Sequence, residues 1–404
     1  MTNITFGICG DLDYTNTPSE KNPLPTLRKE EVGKAIFDIN ASPISKGDLL
    51  LRYPYIYEDI DKLLKLNVLK EKKGKIYVNF TVIDKEDEKL IFEKCEKYAD
   101  DLKERLKEGW ADIPKILDRY QNKNVSKEKL AFMIVGCYFL DWGSLELFRK
   151  WDVCDHMKTQ PGGNKYLLWG EHSDIGELKE IYWGGHMYKD EKYIFHNFGD
   201  HDEETIRNAF PDILHRTPDL DFEGGEEYRS LLFEKKIELA RDIGDFIDLI
   251  GKEGIKKKYL LKRDNAKKAD KIFNLLKKMR YIEEKNGEVY LSIPYFTPED
   301  KDMIIAIVTR LIPILKGWLE ENIDKLKMNL SEIKPIVNGI PFEEFFVQLW
   351  HYVFGLTNKK LAEDGIIFDT YSEVSNHKGY LPALFKGNVL EEVEEELINS
   401  MDNQ

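Results

Sequence analysis

At 404 residues the chain is too long for one core of ordinary size and is expected to divide into two to four domains. Hydrophobic residues make up 42% and aromatic residues 12%, which rules out global disorder. Sixty basic residues against 74 acidic ones leave a net charge of −14, which argues against blanket affinity for phosphate or anionic membrane, so any nucleic-acid contact has to be local.

Residues 1–29 form an N-terminal segment in which Met1 to Tyr14 carry Asp11 and Asp13 but no Lys or Arg, and the glycines of GICGDLD lack a following helix that would cradle a phosphate. The longest uncharged apolar run, Ala131 to Leu140, is short for a bilayer, and a cytoplasmic chain without a membrane partner is expected. Cys9, Cys95, Cys137 and Cys154 make no CxxC pair and are expected to be reduced.

Residues 30–85 begin with a helical pattern (Val32, Ala35, Ile36, Ile39) and a short second helix from Gly47 to Arg52. A third helix carries Ile56, Ile60, Leu63 and Leu64, and a hairpin NVLKEKKGKIYVNF turns at Gly74. Residues 86–170 read as a helical module, with a long helix over Glu86 to Trp110 and an aromatic one over Leu130 to Trp151. An α+β insert follows at 171–234, with Gly184–Gly185 and Gly224–Gly225, a hairpin joining Lys179–Met187 to Lys192–Phe198, and six of the eight histidines falling in or beside it.

The order of elements then repeats. Residues 235–298 hold a helical pattern (Ile243, Phe246, Ile247, Ile250), a short helix at Ile255 to Lys262, a third helix with Ala269, Ile272, Phe273 and Leu276, and the hairpin RYIEEKNGEVYLSI. Residues 63–87 align without gaps on 276–300, a spacing of 213 that superposes Gly74 on Gly287 and Tyr77 on Tyr290; at 214, Tyr138 meets Tyr352 and Tyr166 meets Tyr380. A second helical module at 299–390 has long helices at Glu299–Leu326 and Phe342–Leu361, and residues 391–404 are an acidic C-terminal helix or tail.

Three helices closed by a two-stranded hairpin make a winged helix-turn-helix. Residues 30–83 and 243–296, through VLKEKKGKIYV and YIEEKNGEVYL, resemble the winged-helix transcriptional regulators, broadly the ArsR-like group. The expected fold is mainly α with small β hairpins: two tandem winged helices, each followed by a helical module, with the α+β insert between the halves. The resemblance implies a transcription regulator bound to double-stranded DNA. Neither third helix holds Cys or His, so metal sensing of the arsenic or cadmium type is not carried over.

In such a module the third helix enters the major groove and the wing touches the backbone. Eliminating the apolar stripe of the second third helix leaves Lys267, Lys271, Asn274 and Lys278 facing outward. Around them lie Lys256, Lys257, Lys258, Lys262, Arg263 and Lys268, a local reversal of the overall charge. The equivalent face in the first half is Pro54, Glu58, Asp61 and Lys65, which would repel phosphate, but its wing is basic (Lys70, Lys72, Lys73, Lys75). Two unequal DNA readers in one chain are expected, replacing the two halves of a homodimer, although pairing of two chains stays open. Winged helices also serve as protein-interaction modules without DNA, and that alternative stays open too.

Trp142, Tyr166, Trp169 and Trp183 supply the aromatic material for a small-molecule effector pocket, a role that core packing explains equally well. His196 and His201 are five apart, not at the spacing that places two ligands on one helical face, and no metal or cofactor is expected. No GxGxxG, GxxxxGK[ST], GxSxG or HExxH occurs, so no catalytic residues and no enzyme activity are expected.

Overall fold

The computed structural model describes residues 4–11, 21–154, 159, 160, 163, 165–172, 184–189, 191–199, 233–262, 266–372 and 379–401. The chain is mainly helical with several small sheets. It divides into two compact units, one of residues 1–98, 145–178 and 320–353, the other of residues 99–144, 179–319 and 354–404.

In the first unit, strand β1 (Ile4–Asp11) leads into helices Leu24–Leu27, Glu30–Ala41, Lys46–Arg52 and Tyr57–Lys65. Ser45 caps the third of these by accepting from the Asp48 backbone N–H. Hairpin β2 (Leu69–Lys72) and β3 (Lys75–Val78) follows, then β4 (Thr81–Ile83). β1 runs antiparallel and β4 parallel to β5 (Lys165–His172), giving the order β1-β5-β4. Val32, Ala35, Ile36 and Ile39 are buried with Ile60, Leu63 and Phe6, so the helical stripe read from the sequence is the core face.

In the second unit, β6 (Gly184–Lys189) and β7 (Tyr193–Gly199) form an antiparallel hairpin. After it come helices Phe233–Ile250, Lys257–Leu260 and Ala266–Lys278, with the two-residue β8 (Ile255–Lys256) between the first two. β9 (Ile282–Lys285) and β10 (Glu288–Leu291) make the second glycine-turn hairpin, and β8 adds to it in the order β8-β10-β9. β11 (Tyr295–Phe296) pairs parallel with β12 (Tyr380–Lys386), whose other edge takes β7, in the order β11-β12-β7-β6.

Two features differ from the sequence expectation. The N-terminal GICGD is a strand, and the hairpin assigned to a separate insert hydrogen-bonds through β7 into the sheet that closes the second unit. The helix over Lys127–Lys150 is, among the described residues, the one long and apolar enough to cross a membrane, and 89% of its apolar window is buried. Its middle, Phe132–Gly143, is π-helical.

The second unit fixes the sign of two glycine substitutions. Gly244 lies in a helix whose propensity favours alanine, but an added Cβ would sit 2.3 Å from the Tyr193 ring. Gly317, inside helix Lys301–Asn329, has nothing within 4 Å of that position. Denaturant titration is expected to find Gly244→Ala less stable by about 1–3 kcal/mol through overpacking. Gly317→Ala is expected to be more stable by about 0.5–1 kcal/mol through helix propensity. Equal effects of one sign would contradict this packing.

Candidate functional site

The charged surface of the second unit rests on helix Ala266–Lys278. Ala269, Ile272, Phe273, Leu275 and Leu276 are buried, while Lys267, Lys271, Asn274 and Lys278 are exposed along the opposite side, spaced four, three and four. Asn274 Nδ2 donates to Asp270 Oδ2 one turn back, at 3.2 Å. Lys256, Lys258 and Lys262 are exposed nearby, and Arg263 lies outside the described residues.

Part of the predicted cation set is occupied internally. Lys268 pairs with Asp242 at 2.6 Å, and Lys257 pairs with Glu284 at 2.9 Å, where Lys277 also approaches to 3.6 Å. Those lysines hold the Glu284 carboxyl below its ordinary range, the Lys257 hydrogen bond foremost. Lys257 also lies over the Phe273 ring at 4.5 Å, which fixes it to the body of the module. Glu284 of hairpin β9–β10 thus engages two lysines beside it, and Asp242 a third.

In the first unit the matching helix, Tyr57–Lys65, has acids that are paired. Asp61 is held by Lys46 at 2.5 Å, and that hydrogen bond lowers its pKa; Asp59 is held by Lys29 at 2.7 Å. Glu58 and Pro54 are exposed and Asp61 is half-buried beside Lys46. In the wing, Lys72, Lys73 and Lys75 are exposed and Lys70 is half-buried.

Of the described aromatic residues suggested for an effector, two belong to the first unit and one to the second. In the first unit, Tyr166 is buried in the core and Trp169 covers Gly7, where a Cβ would lie 2.2 Å from its ring. In the second unit, Trp142 stands edge-on to His196 with ring centroids 4.9 Å apart. Trp183 lies outside the described residues. A hollow of about 210 Å³ in the second unit, between Leu117 and Leu130, is lined by none of the four, and it is smaller than ordinary small-molecule pockets.

A contact that the sequence did not signal joins Cys137 Sγ to His196 Nδ1 at 3.5 Å, 59 residues apart. Burial keeps both neutral: it lowers the imidazole to about 3 and pushes the thiol well up, with the Asp141 carboxyl adding to the latter. Asp141 is itself raised to about 8 by burial. A neutral thiol beside a neutral imidazole is not the thiolate–imidazolium pair of a cysteine nucleophile. Among the described residues no group of three or more His, Cys, Asp or Glu side chains is arranged to hold a metal ion.

No protein family, curated protein or solved structure matches this chain.

Cys95, Cys137 and Cys154 are all buried, and none of the three forms a disulfide. A charged thiol reagent is expected to leave these three unmodified in the native protein and to label them only on unfolding, as mass spectrometry of digested samples can follow. Fast native labelling of Cys137 would contradict the buried neutral pair.

Proposed function

We propose that the chain is a cytoplasmic, DNA-binding transcription regulator with two unequal winged-helix readers. The observation that carries this reading is the exposed row Lys267, Lys271, Asn274 and Lys278 on a third helix flanked by a glycine-turn hairpin. The element order supports it. Helix, bridge at Ile44, helix, helix and hairpin in the first segment match helix, β8, helix, helix and hairpin in the second.

Local geometry supports a duplicated module as well. Residues 213 apart share left-handed backbone: Asn67 and Arg280 at φ 58° and 57°, Lys73 and Asn286 at 52° and 55°, Gly74 and Gly287 at 73° and 76°. The amides of Val68 and Tyr281 donate to the carbonyls of Leu63 and Leu276, both at 2.9 Å, and those of Asn79 and Ser292 donate to the carbonyls of Val68 and Tyr281, both at 3.0 Å. In this reading the second helix supplies groove contacts, and the first wing, through Lys72, Lys73 and Lys75, adds phosphate contacts.

A specific observation also favours a second reading, docking of a protein on the first module: Leu51, Tyr55 and Tyr57 are 83%, 88% and 51% exposed at its helix-turn-helix corner. The two readings separate by salt. Titration of labelled duplex at several salt concentrations is expected to show affinity falling steeply with salt. Lys267→Glu/Lys271→Glu is expected to weaken binding at every sequence and to lower the salt slope by about 2, one released counterion for each lost phosphate contact. No duplex binding even at low salt would leave the docking reading in place of the DNA one.

A further inference from the structure

The interior of the first unit holds polar chemistry that neither reading of the chain uses. Glu171 on β5, Thr81 on β4, Asp87 on helix Lys85–Glu108 and Gln348 on helix Phe342–Glu363 are all more than nine-tenths buried. Glu171 Oε2, Thr81 Oγ1 and Asp87 Oδ2 are buried without a hydrogen-bond partner, and the Gln348 amide lies against the Glu171 carboxyl. They belong to one neighbourhood. Register places Glu171 opposite Ile83, two residues after Thr81; Gln348 acts on the Glu171 carboxyl; and the Tyr352 phenol, one turn after Gln348, feels Glu171, Glu88, Asp87 and Cys95 together. The nearby cation is Lys334, whose backbone N–H donates to Asp87 Oδ1 at 3.1 Å while its ammonium is bound to Asp84.

The fold does not require this cluster, because the second unit builds the corresponding place differently. At positions 213 or 214 further on, or back, Thr81 is answered by Pro294, Glu88 by Lys301, Glu171 by Phe385 and Gln348 by Ile134. Phe385 stacks on Phe296 with centroids 4.9 Å apart, an apolar contact where the first unit has a carboxyl. Asp87 is answered by Asp300, which has a buried partner of its own in Lys252 at 2.5 Å. One interior is apolar and charge-paired, and the other carries acids with open hydrogen-bonding capacity. A buried polar set that leaves single oxygens of Glu171, Thr81 and Asp87 unsatisfied, where the second unit is apolar or charge-paired, calls for a role, since its burial costs stability.

We propose that the Glu171 cluster is a proton-binding switch, closed when Glu171 carries a proton and loosened when the loss of that proton leaves an uncompensated charge between β5 and helices Lys85–Glu108 and Phe342–Glu363. Burial raises the Glu171 carboxyl to about 8, against a smaller lowering from Gln348. Burial also raises Asp87 to about 6; the hydrogen bond from Lys334 opposes this, and Asp84 and Glu86 add to it. The direction follows from linkage. The folded carboxyl binds its proton more tightly than the unfolded one, so the contribution is full below the ordinary glutamate range and is lost as pH rises, until it levels off above about 8.

Backbone hydrogen exchange of the full chain, corrected for intrinsic rates, tests this between pH 6 and 9. In the wild type, protection of Lys165–His172 is expected to fall about tenfold per pH unit up to pH 8, the slope of one proton. In Glu171→Gln the same amides are expected to hold their protection, and Glu171→Leu serves if the glutamine variant does not fold. Carboxyl NMR of the glutamate-labelled wild type gives a readout free of variants, with one glutamate titrating far above the rest. A flat wild-type profile, an unchanged slope in the folded variant, or glutamates that all titrate in the ordinary range would overturn the switch.

Discussion

The structure of each unit depends on one non-local pairing, the short parallel strand that follows each glycine-turn hairpin. Val82 meets Gly170, and Tyr295 meets Leu384, so a two- or three-residue strand is captured by a partner nearly ninety residues later. Closing a loop of that length costs about 4 kcal/mol of chain entropy, more than so few ladder bonds return. The rest has to come from burial: Phe6 and Val82 in one core, Tyr295 and Leu384 in the other, lie at or next to the paired positions. Because the strand begins two or three residues after the hairpin, this pairing also aims the hairpin and, behind it, the third helix.

Electrostatics on this scaffold is settled locally. In a chain with a net charge of −14, helix Ala266–Lys278 carries an exposed basic face, and two acids beside it are paired, Glu284 with Lys257 and Lys277, and Asp242 with Lys268. Exposed pairs of this kind add little stability. Their effect is to match charges of both signs where residues far apart in the chain meet. Helix Tyr57–Lys65 shows the same matching, with Lys46 paired to Asp61 and Lys29 to Asp59. Residue spacing alone shows which side chains share a face, but whether a charge on that face is already matched depends on residues 15 and 30 positions away.

That distinction explains what could be read from the sequence. Helix Ala266–Lys278 was legible because its apolar residues recur at helical spacing on one side, and both hairpins were legible because a glycine interrupts two short alternating runs. β1 was not, since its glycines carry no strand signal until Trp169 is known to lie across Gly7. β7 read as half of a local hairpin because its other partner, β12, is almost two hundred residues away, and only that second pairing explains why all seven of its residues are buried. The Cys137–His196 contact and the Glu171 cluster left no periodic trace, for each joins segments that come together only after these sheets close.

The same contrast separates what the two helix–hairpin segments hold in common from what they do not. Arg280, Asn67, Lys73 and Asn286 all take left-handed backbone, which costs a side-chain-bearing residue about 1 kcal/mol or more, and the positions agree to within a few degrees. The strain persists in both because the tight exit from the third helix and the wing turn leave the chain no other path to its strand. Side chains facing away from that path obey no such constraint, and there the segments part: Glu58 against Lys271, Asp61 against Asn274, Lys75 against Glu288. Geometry is thus retained where the backbone has a single route, and chemistry varies where it does not, so the faces that differ most are those on which two unequal functions can be built without disturbing either core.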